Sequence, residues 1–223
     1  MRVVFLLLIS SILLVSNSCN LPNTVKVWDY DATDAIKKKR DWQVVDTKTD
    51  SWRLALSYSP TFCAKQKPIP SHLKHQCLDN KFGLIVHGLW AQSFQAETYK
   101  AHPRNCKDTH AISKEILINH LCMIPGYRLM QKEWERHGSC DFKSAKAYLN
   151  RTKMLYSALK LPTLEVLNKI KKSSYYRIKS EIIALNKHIA LREEHIWIVK
   201  KKGELREVHL CYDTQFNFKA CHK

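Results

Sequence analysis

The 223-residue sequence contains few glycines and prolines, 5 and 7 respectively. It has no low-complexity tract and no internal repeat, so nothing in its composition indicates a flexible linker between domains. Beyond residue 15, no apolar run approaches the roughly 20 residues that a membrane-spanning helix needs, and we expect no stable membrane association. These absences predict one compact domain that is long enough to enclose a hydrophobic core.

Common metal-binding patterns are missing as well. The sequence contains neither closely paired cysteines such as C-x-x-C nor the string H-E-x-x-H, which are arrangements that zinc sites favour. Its 11 histidines form no dense cluster with aspartates. We therefore expect no metal and no other cofactor, and a metal-dependent nuclease or phosphodiesterase is a less favoured hypothesis.

The first 18 residues have the layout of a secretory signal peptide. Arg2 gives a basic start, residues 3–15 are almost wholly apolar, and small polar residues follow up to Ser18. Cleavage near Ser18 would release a secreted or periplasmic chain. The alternative is a lipoprotein acylated at Cys19, but the polar residues before that cysteine fit the required pattern poorly.

The cysteine content and the charge describe the chain that follows. Eight cysteines after an export signal predict an oxidising compartment and a disulfide framework. The formal net charge of +17 attracts polyanions such as nucleic acid, anionic lipid or acidic glycans. A secreted polyanion-binding protein without catalysis is one hypothesis. A cationic lytic protein is a weaker one, because residues 164–187 form only a loose amphipathic candidate.

Periodicity separates an N-terminal extension, residues 19–50, from a domain, residues 51–223. Alternating or short apolar runs predict two strands, 51–60 and 82–90, and a hairpin over 195–213 with its turn at 201–204. Helical spacing predicts helices at 112–122, 128–140, 143–171 (two helices, split at Leu161-Pro162) and 180–188, with a loop at 61–81. Strands that flank a block of helices indicate an α+β fold, a central antiparallel β-sheet packed with several α-helices.

Two strings place a histidine directly before a glycine. FGLIVHGLW forms the second predicted strand and carries His87 near its end. KEWERHGSC lies at the end of a predicted helix and carries His137. On that helix Glu133, Arg136 and His137 are three or four residues apart, a spacing that puts them on one face. His87 lies far earlier in the chain, so only the fold could bring it to the other three.

Two histidines, a carboxylate and a fixed cation suit metal-free cleavage of a phosphodiester. One imidazole removes a proton from the attacking hydroxyl, the other protonates the leaving oxygen, and the cation stabilises the phosphoryl charge. An ordinary histidine pKa of about 6.5 permits both proton transfers. By spacing alone, simple structural roles are favoured instead, such as a hydrogen-bonded histidine, core tryptophans and an exposed ion-pair face worth about 0.2–0.5 kcal/mol per pair.

The strings themselves are more specific than their spacing. HGLW after an apolar strand, and EWERHGSC later in the chain, resemble the two active-site segments of the ribonuclease T2 family, which are secreted acid endoribonucleases that need no metal. LALSYSPTFC resembles the first core strand of the family, and REVHLCYD resembles its last. The resemblance therefore covers roughly residues 51–221, and the export signal and the cysteines fit it.

The resemblance implies a role for each matching position. His87 falls on the general acid toward the 5′-oxygen, and His137 on the general base at the ribose 2′-hydroxyl. Glu133 falls on the carboxylate that belongs to the transition-state assembly. Arg136 stands where the family normally has lysine, and Lys132 where it often has a third histidine. Both cations are expected to bind the phosphate of the substrate.

The implied activity is metal-independent cleavage of single-stranded RNA to 2′,3′-cyclic phosphate and then 3′-phosphate ends. Trp90 is expected to stack on a base, and stacking, worth about 1–3 kcal/mol per base, tolerates any base. We therefore expect low base specificity. RNA is the expected partner, and we expect a monomeric enzyme. The alternative function is polyanion binding without catalysis.

The resemblance also bears on the disulfides. The pairs expected are Cys106–Cys140 by resemblance, Cys211–Cys221, Cys63–Cys77 and, to leave no cysteine free, Cys19–Cys122. The last four cysteines allow three pairings, of which this one is favoured. Acylation of Cys19 would instead leave Cys122 unpaired.

Overall fold

A four-stranded antiparallel sheet forms the centre of the computed structural model, which describes residues 19–39, 41 and 43–222. The predicted signal peptide, residues 1–18, lies outside the described residues. The strands are β1 (Ser51–Tyr58), β2 (Leu84–Gln92), β3 (Ile196–Lys201) and β4 (Glu204–Tyr212), in the order β2-β1-β4-β3. Helices pack around this sheet, so the predicted α+β fold is confirmed.

Short helices lie between the strands in the described part of the chain. The α-helices are α1 (Ala32–Lys37), α2 (Ser59–Cys63), α3 (Lys74–Cys77), α4 (Lys114–His120), α5 (Tyr127–Glu133), α6 (Ala145–Ser157), α7 (Leu164–Ile170) and α8 (Tyr175–Leu185). There are also 3₁₀ turns at Ser71–Leu73 and Glu193–His195 and a π-helical turn at Trp134–Gly138. Among the described residues, none of these helices combines the length and the apolar character that a bilayer span requires.

Local sequence signals explain several helix boundaries. Hydroxyl side chains cap four helices by accepting a backbone N–H bond; the caps are Ser113, Ser144, Thr163 and Ser174. Leu161-Pro162 separates α6 from α7, as predicted. The predicted loop at 61–81 was wrong in part, because it contains α3, and α2 ends in it.

The hairpin turn between β3 and β4 lies at the predicted position. Lys202 and Gly203 have φ values of 52° and 79°, which is the pair of positive φ angles that a two-residue turn of type I′ requires. The glycine adopts this conformation without steric cost. The turn therefore fixes the pairing of Lys201 with Glu204, where the β3–β4 ladder begins.

One face of the sheet supplies the hydrophobic core. Directly paired residues of neighbouring strands share a face, and the paired apolar positions on this face are Trp52, Leu54, Leu56, Val86, Leu89, Ala91, Val208, Leu210 and Tyr212. Helical residues such as Met130 and Leu149 join them in one buried cluster. Each large apolar side chain contributes about 1.5–3 kcal/mol by leaving water.

A β-bulge interrupts the pairing of β1 with β2. Ala55 lies opposite Gly88 and Leu56 lies opposite Val86, so His87 has no partner on β1. An extra residue of this kind bends a strand and redirects its side chains. His87 therefore lies at the point where the alternation of β2 changes phase.

The bulge places His87 and Trp90 on the same side of the sheet. Val86 before the bulge and Leu89 after it both face the core, although they are three positions apart and a regular strand would direct them to opposite faces. Trp90 consequently pairs with Arg53 on the opposite face. Without the extra residue, the period of two would have directed Trp90 into the core.

Four disulfides join the elements, and they are the pairs that the sequence analysis favoured. They are Cys19–Cys122, Cys63–Cys77, Cys106–Cys140 and Cys211–Cys221. Cys106–Cys140 connects the loop after β2 to the residues that follow the π-helical turn. It therefore restrains the second histidine motif relative to the first.

The N-terminal extension packs against the second histidine motif. The backbone N–H of Ala32 donates a hydrogen bond of 2.8 Å to Oε1 of Glu135 in the π-helical turn. Tyr30, Ala32 and Ala35 form a small buried cluster with Trp28 packed against it. Helix α1 of the extension thus lies beside the segment that carries His137.

Candidate active site

The two histidine motifs meet in one cavity of about 280 Å³. Its lining is mostly basic and aromatic, and consists of Arg53, His87, Trp90, Gln92, Tyr99, His102, Arg104, Glu133, Arg136 and His137. Strand β2 supplies the first motif, and the junction of α5 with the π-helical turn supplies the second. The fold therefore brings together His87, Glu133, Arg136 and His137, as the sequence analysis expected.

Glu133 lies between the two imidazoles. Its side chain is 1% exposed, and its Oε1 is 3.8 Å from Nε2 of His87, while its Oε2 is 3.8 Å from Nε2 of His137. The indole N–H of Trp90 donates a hydrogen bond of 2.7 Å to the same Oε2. The carboxylate is thus held by Trp90 and faces both histidines.

Gly88 leaves the space that this carboxylate occupies. A Cβ atom added at Gly88 would lie 2.2 Å from Oε2 of Glu133 and 2.6 Å from Nε1 of Trp90. Both distances are far below van der Waals contact, so a side chain at this position would displace the carboxylate or the indole. The glycine between His87 and Trp90 is therefore required by the close approach of Glu133.

The helix that carries the second motif changes its winding at Glu133. Glu133 is the last residue of α5, and the chain continues as the π-helical turn Trp134–Gly138. The backbone N–H of Ser139 accordingly bonds to the carbonyl of Trp134, five residues earlier, at 2.9 Å. The sequence predicted a regular helix here. Single π turns are frequent at functional sites because they reposition side chains.

The surroundings of His87 favour its protonated form. Burial lowers the pKa of this imidazole, but the carboxylates of Glu133 and Glu207 outweigh burial, and the net pKa is raised above 6.5. The strongest contact is from Nδ1 of His87 to Oε1 of Glu207, at 2.8 Å. His87 therefore holds its proton to a higher pH than an ordinary histidine.

The surroundings of His137 have the opposite effect. Burial lowers its pKa, and the guanidinium groups of Arg104 and Arg136 lower it further, to well below 6.5. Within the described residues, its buried Nδ1 has no hydrogen-bond partner. His137 is therefore neutral at a pH where His87 is charged, and two groups separated in this way can serve as base and acid.

The cation of the second motif is itself paired. Nη2 and Nε of Arg136 lie 2.8 Å and 3.1 Å from Oδ2 of Asp41, and the hydroxyl of Tyr30 donates to the same oxygen. Asp41 belongs to the N-terminal extension and is 2% exposed. The extension therefore fixes Arg136 at the wall of the cavity.

Lys132 is placed differently from Arg136. Its ammonium lies 5.4 Å from the centroid of the Tyr30 ring, and its side chain does not line the cavity. A contact between Lys132 and a phosphate stays a prediction. Arg104 does line the cavity and is buried, and burial followed by the charge of Arg136 lowers its pKa to about 10.

The indole of Trp90 lies among three imidazoles. Its ring centroid is 5.1 Å from that of His87, 5.7 Å from that of His137 and 5.3 Å from that of His209. Together with the bond to Glu133, these contacts make Trp90 an organising residue of the cavity. Stacking of its ring on a base stays a prediction.

Sequence reasoning missed several residues of the site. The missed residues include Arg53, Gln92, Tyr99, His102 and Arg104 in the cavity, and Glu207 and His209 behind His87. The alternation of REVHLCYD could have identified the last two, because Glu207 and His209 are two apart on a strand and share a face. The residues of the loop after β2 carry no comparable periodic signal.

A second cavity of about 710 Å³ adjoins the first. The two share Arg53, Gln92, Tyr99 and His102 in their linings. Phe94 also lines the larger cavity, and its ring is 4.1 Å from the ammonium of Lys219. Aromatic rings and cations thus continue outward from the histidines.

Comparison with known proteins finds relatives that are named as ribonucleases. A "Probable ribonuclease" of Haemophilus influenzae is 35% identical over 179 residues, which are 77% of this chain and 61% of that protein. A "Ribonuclease" of Aeromonas hydrophila is 32% identical over 92 residues, which are 41% of this chain and 38% of that protein. The chain thus spans less than two thirds of the length of either relative.

Solved structures resemble the fold. The "RNase-related protein from Calystegia sepium" superimposes with a TM-score of 0.58 at 17% identity, over 79% of this chain and 92% of that one. RNase NT in complex with 5′-AMP gives a TM-score of 0.53 at 16% identity, over 78% and 91%. At such identities the likeness concerns the fold alone. The model of the ribonuclease T2 family matches residues 49–221, and with that match across most of its length the chain belongs to this family.

Proposed function

We propose that the protein is a metal-independent endoribonuclease that cleaves single-stranded RNA by transphosphorylation, with low base specificity. The observation that carries this proposal is the pair of imidazoles on either side of Glu133, whose pKa values are shifted in opposite directions. Membership of the ribonuclease T2 family and relatives named as ribonucleases support it.

In the first step, the ribose 2′-hydroxyl attacks the adjacent phosphorus. Neutral His137 takes the proton of the hydroxyl as the new P–O2′ bond forms. His87, which is protonated, gives its Nε2 proton to the 5′-oxygen as the P–O5′ bond breaks. The products are a 2′,3′-cyclic phosphate and a free 5′-hydroxyl. Each proton transfer accelerates such a reaction by about 10²–10⁴-fold.

In the second step, water opens the cyclic phosphate and the two histidines exchange roles. His87, now neutral, accepts a proton from water, and His137, now charged, protonates O2′ as the P–O2′ bond breaks. A 3′-phosphate remains, and both imidazoles return to their starting states. DNA has no 2′-hydroxyl and is not a substrate for this chemistry.

The charge that develops on the phosphoryl oxygens needs fixed cations. Arg136 and Arg104 line the cavity, and their fixed positive charges would stabilise the phosphoryl oxygens. Glu133 keeps the imidazoles oriented, and Trp90 offers a ring face to a base. Any contact of Lys132 with phosphate would require its ammonium to leave the Tyr30 ring.

We infer that the mature protein acts as a monomer outside the cytoplasm, secreted or periplasmic. Its four disulfides are typical of an oxidising compartment. The net charge of +17 of the full sequence, to which the predicted signal peptide adds only Arg2, would draw RNA to the basic cavity by long-range attraction.

The test uses purified protein, RNA and excess EDTA at about pH 6, near the ordinary histidine pKa, with mass analysis of the new ends. Fragments that end in 2′,3′-cyclic phosphate are expected, and His87→Ala should retain RNA binding while losing cleavage. Cleavage only after metal is restored would instead indicate a metal enzyme. Binding without cleavage in both conditions would indicate a polyanion-binding protein.

A further inference from the structure

We propose that Glu207 is a positioning residue for catalysis, because it holds His87 in the orientation and tautomer in which Nε2 delivers the proton to the leaving oxygen. His209 serves as the anchor of Glu207. The inference rests on the proposed function, and it adds a carboxylate–histidine pair on β4 that neither histidine motif contains.

The contacts of Glu207 use both of its carboxylate oxygens. Oε1 accepts from Nδ1 of His87 at 2.8 Å and from the hydroxyl of Ser57 at 3.1 Å. Oε2 accepts from Nε2 of His209 at 2.7 Å. A carboxylate held by three donors on a sheet cannot rotate freely, so the direction of the His87 ring is fixed.

The sheet explains how these groups meet across a strand. Strand β1 lies between β2 and β4, and on the face of the site it carries the small residues Ala55 and Ser57, opposite His209 and Glu207 respectively. The bulge directs His87 toward the same face. Small side chains on the middle strand therefore let the imidazole of β2 reach the carboxylate of β4.

Hydrogen bonding decides which nitrogen of His87 faces the substrate. With Nδ1–H donated to Glu207, Nε2 is left on the side of the cavity, 3.8 Å from Glu133. Without Glu207, the ring could turn, or the neutral form could carry its proton on Nε2 and present no acceptor there. Carboxylate partners commonly set the tautomer of a histidine in this way.

His209 is suited to anchoring rather than to proton transfer. It is 4% exposed, and burial lowers its pKa although its bond to Glu207 opposes this. It is therefore neutral and donates from Nε2. Its ring also packs edge-on against Trp90, so the anchor connects Glu207 to the residue that holds Glu133.

The charged neighbours of His87 determine the expected pH effect. The carboxylates of Glu133 and Glu207 raise its pKa, whereas Arg136 lowers it; His137 and His209 are the other titratable groups nearby. Glu207→Gln removes one of the two favourable charges. We expect the basic limb of the profile of kcat/KM against pH to move to lower pH.

The decisive test compares two leaving groups. RNA requires protonation of a 5′-alkoxide, whereas uridine 3′-(4-nitrophenyl phosphate) releases a phenolate that departs without a proton. Glu207→Gln should lower kcat for RNA by about 10²-fold or more, the scale of a general acid, and leave cleavage of the nitrophenyl ester nearly unchanged. Equal losses on both substrates would overturn the inference.

Matched variants separate this role from a structural one. Glu204→Gln makes the same change three residues earlier on β4, at a carboxylate that faces Lys172 across 3.8 Å, and should leave the ratio of the two rates unchanged. Glu207→Asp should restore part of the lost activity on RNA. Suppose that Glu207→Asp restores no activity on RNA, and that Glu207→Gln has the wild-type ratio of the rates on RNA and on the nitrophenyl ester. Glu207 then does not position the acid.

A measurement on the unmodified protein avoids any dependence on folding of the variant. Long-range ¹H–¹⁵N NMR should show that neutral His87 carries its proton on Nδ1, and a proton on Nε2 would contradict the inference. If the wild type cleaves the nitrophenyl ester and RNA to cyclic phosphates, the proposed function stands whatever Glu207→Gln does. If the wild type cleaves neither, the proposed function fails and this inference fails with it.

Discussion

Replacement of Gly88 by alanine tests the geometry around Glu133 most sharply. The added Cβ would lie 2.2 Å from Oε2 of Glu133 and 2.6 Å from Nε1 of Trp90. Ordinary contact begins near 3.4 Å, so the carboxylate must move by about 1 Å or more. Misplacement of a catalytic group by about 1 Å costs on the order of 10²-fold, which corresponds to roughly 3 kcal/mol of transition-state stabilisation.

The assay is kcat/KM for a short RNA in EDTA, together with the melting temperature. Gly126→Ala is the matched control, because an added Cβ there would meet its nearest atom, Cβ of Leu129, at 3.5 Å, an ordinary contact. We expect the kcat/KM of Gly88→Ala to be about 10²-fold lower than that of wild type, whereas Gly126→Ala keeps the wild-type value. A folded Gly88→Ala variant with wild-type kcat/KM would show that the position of Glu133 does not matter.

Three further predictions concern charge. Burial and the neighbouring Asp108 raise the pKa of Glu135 from 4.5 to about 8. Stability from this group is therefore full below pH 4.5 and is lost as pH rises through about 8; denaturant unfolding should show this slope, and Glu135→Gln should remove it. Asp41→Asn breaks a buried ion pair and should lower the free energy of unfolding by about 3–5 kcal/mol in the same assay. Asp34→Asn breaks an exposed pair and should lower it by under about 1 kcal/mol; equal losses would contradict this. The profile of kcat/KM against pH should have its acid limb below 6.5, from His137, and its basic limb above 6.5, from His87; a profile governed by one group would refute the paired roles.

The elements that depend on local pattern were predictable from the sequence. The apolar alternation of Trp52, Leu54, Leu56 and Tyr58 identified β1, because a half-buried strand repeats every two residues. The Lys202-Gly203 turn identified the hairpin for a similarly local reason. The specific strings around His87 and His137 identified the site, where their spacing alone did not.

The features that depend on tertiary pairing were not predictable. The bulge at His87 becomes visible only when β2 is paired with β1, since FGLIVHGLW by itself fits a regular strand. The π-helical turn after Glu133 likewise replaces the last part of a helix that apolar spacing predicted. In both places the local rule fails at a side chain of the candidate site, and irregular winding is most often retained at functional sites.

The partners of the candidate catalytic groups come from distant segments. Asp41 reaches Arg136 from the N-terminal extension, and Glu207 reaches His87 from the last strand. No spacing rule connects positions so far apart in the sequence. The contact of Lys132 with the Tyr30 ring depends on the same extension, and no local pattern of the sequence indicates it.

We propose that one cavity holds a charged acid and a neutral base on either side of Glu133. The most direct measurement is an NMR titration of His87 and His137, assigned by comparison with the His87→Ala and His137→Ala variants. We predict a pKa above 6.5 for His87 and well below 6.5 for His137. Equal values, or values in the reverse order, would contradict it.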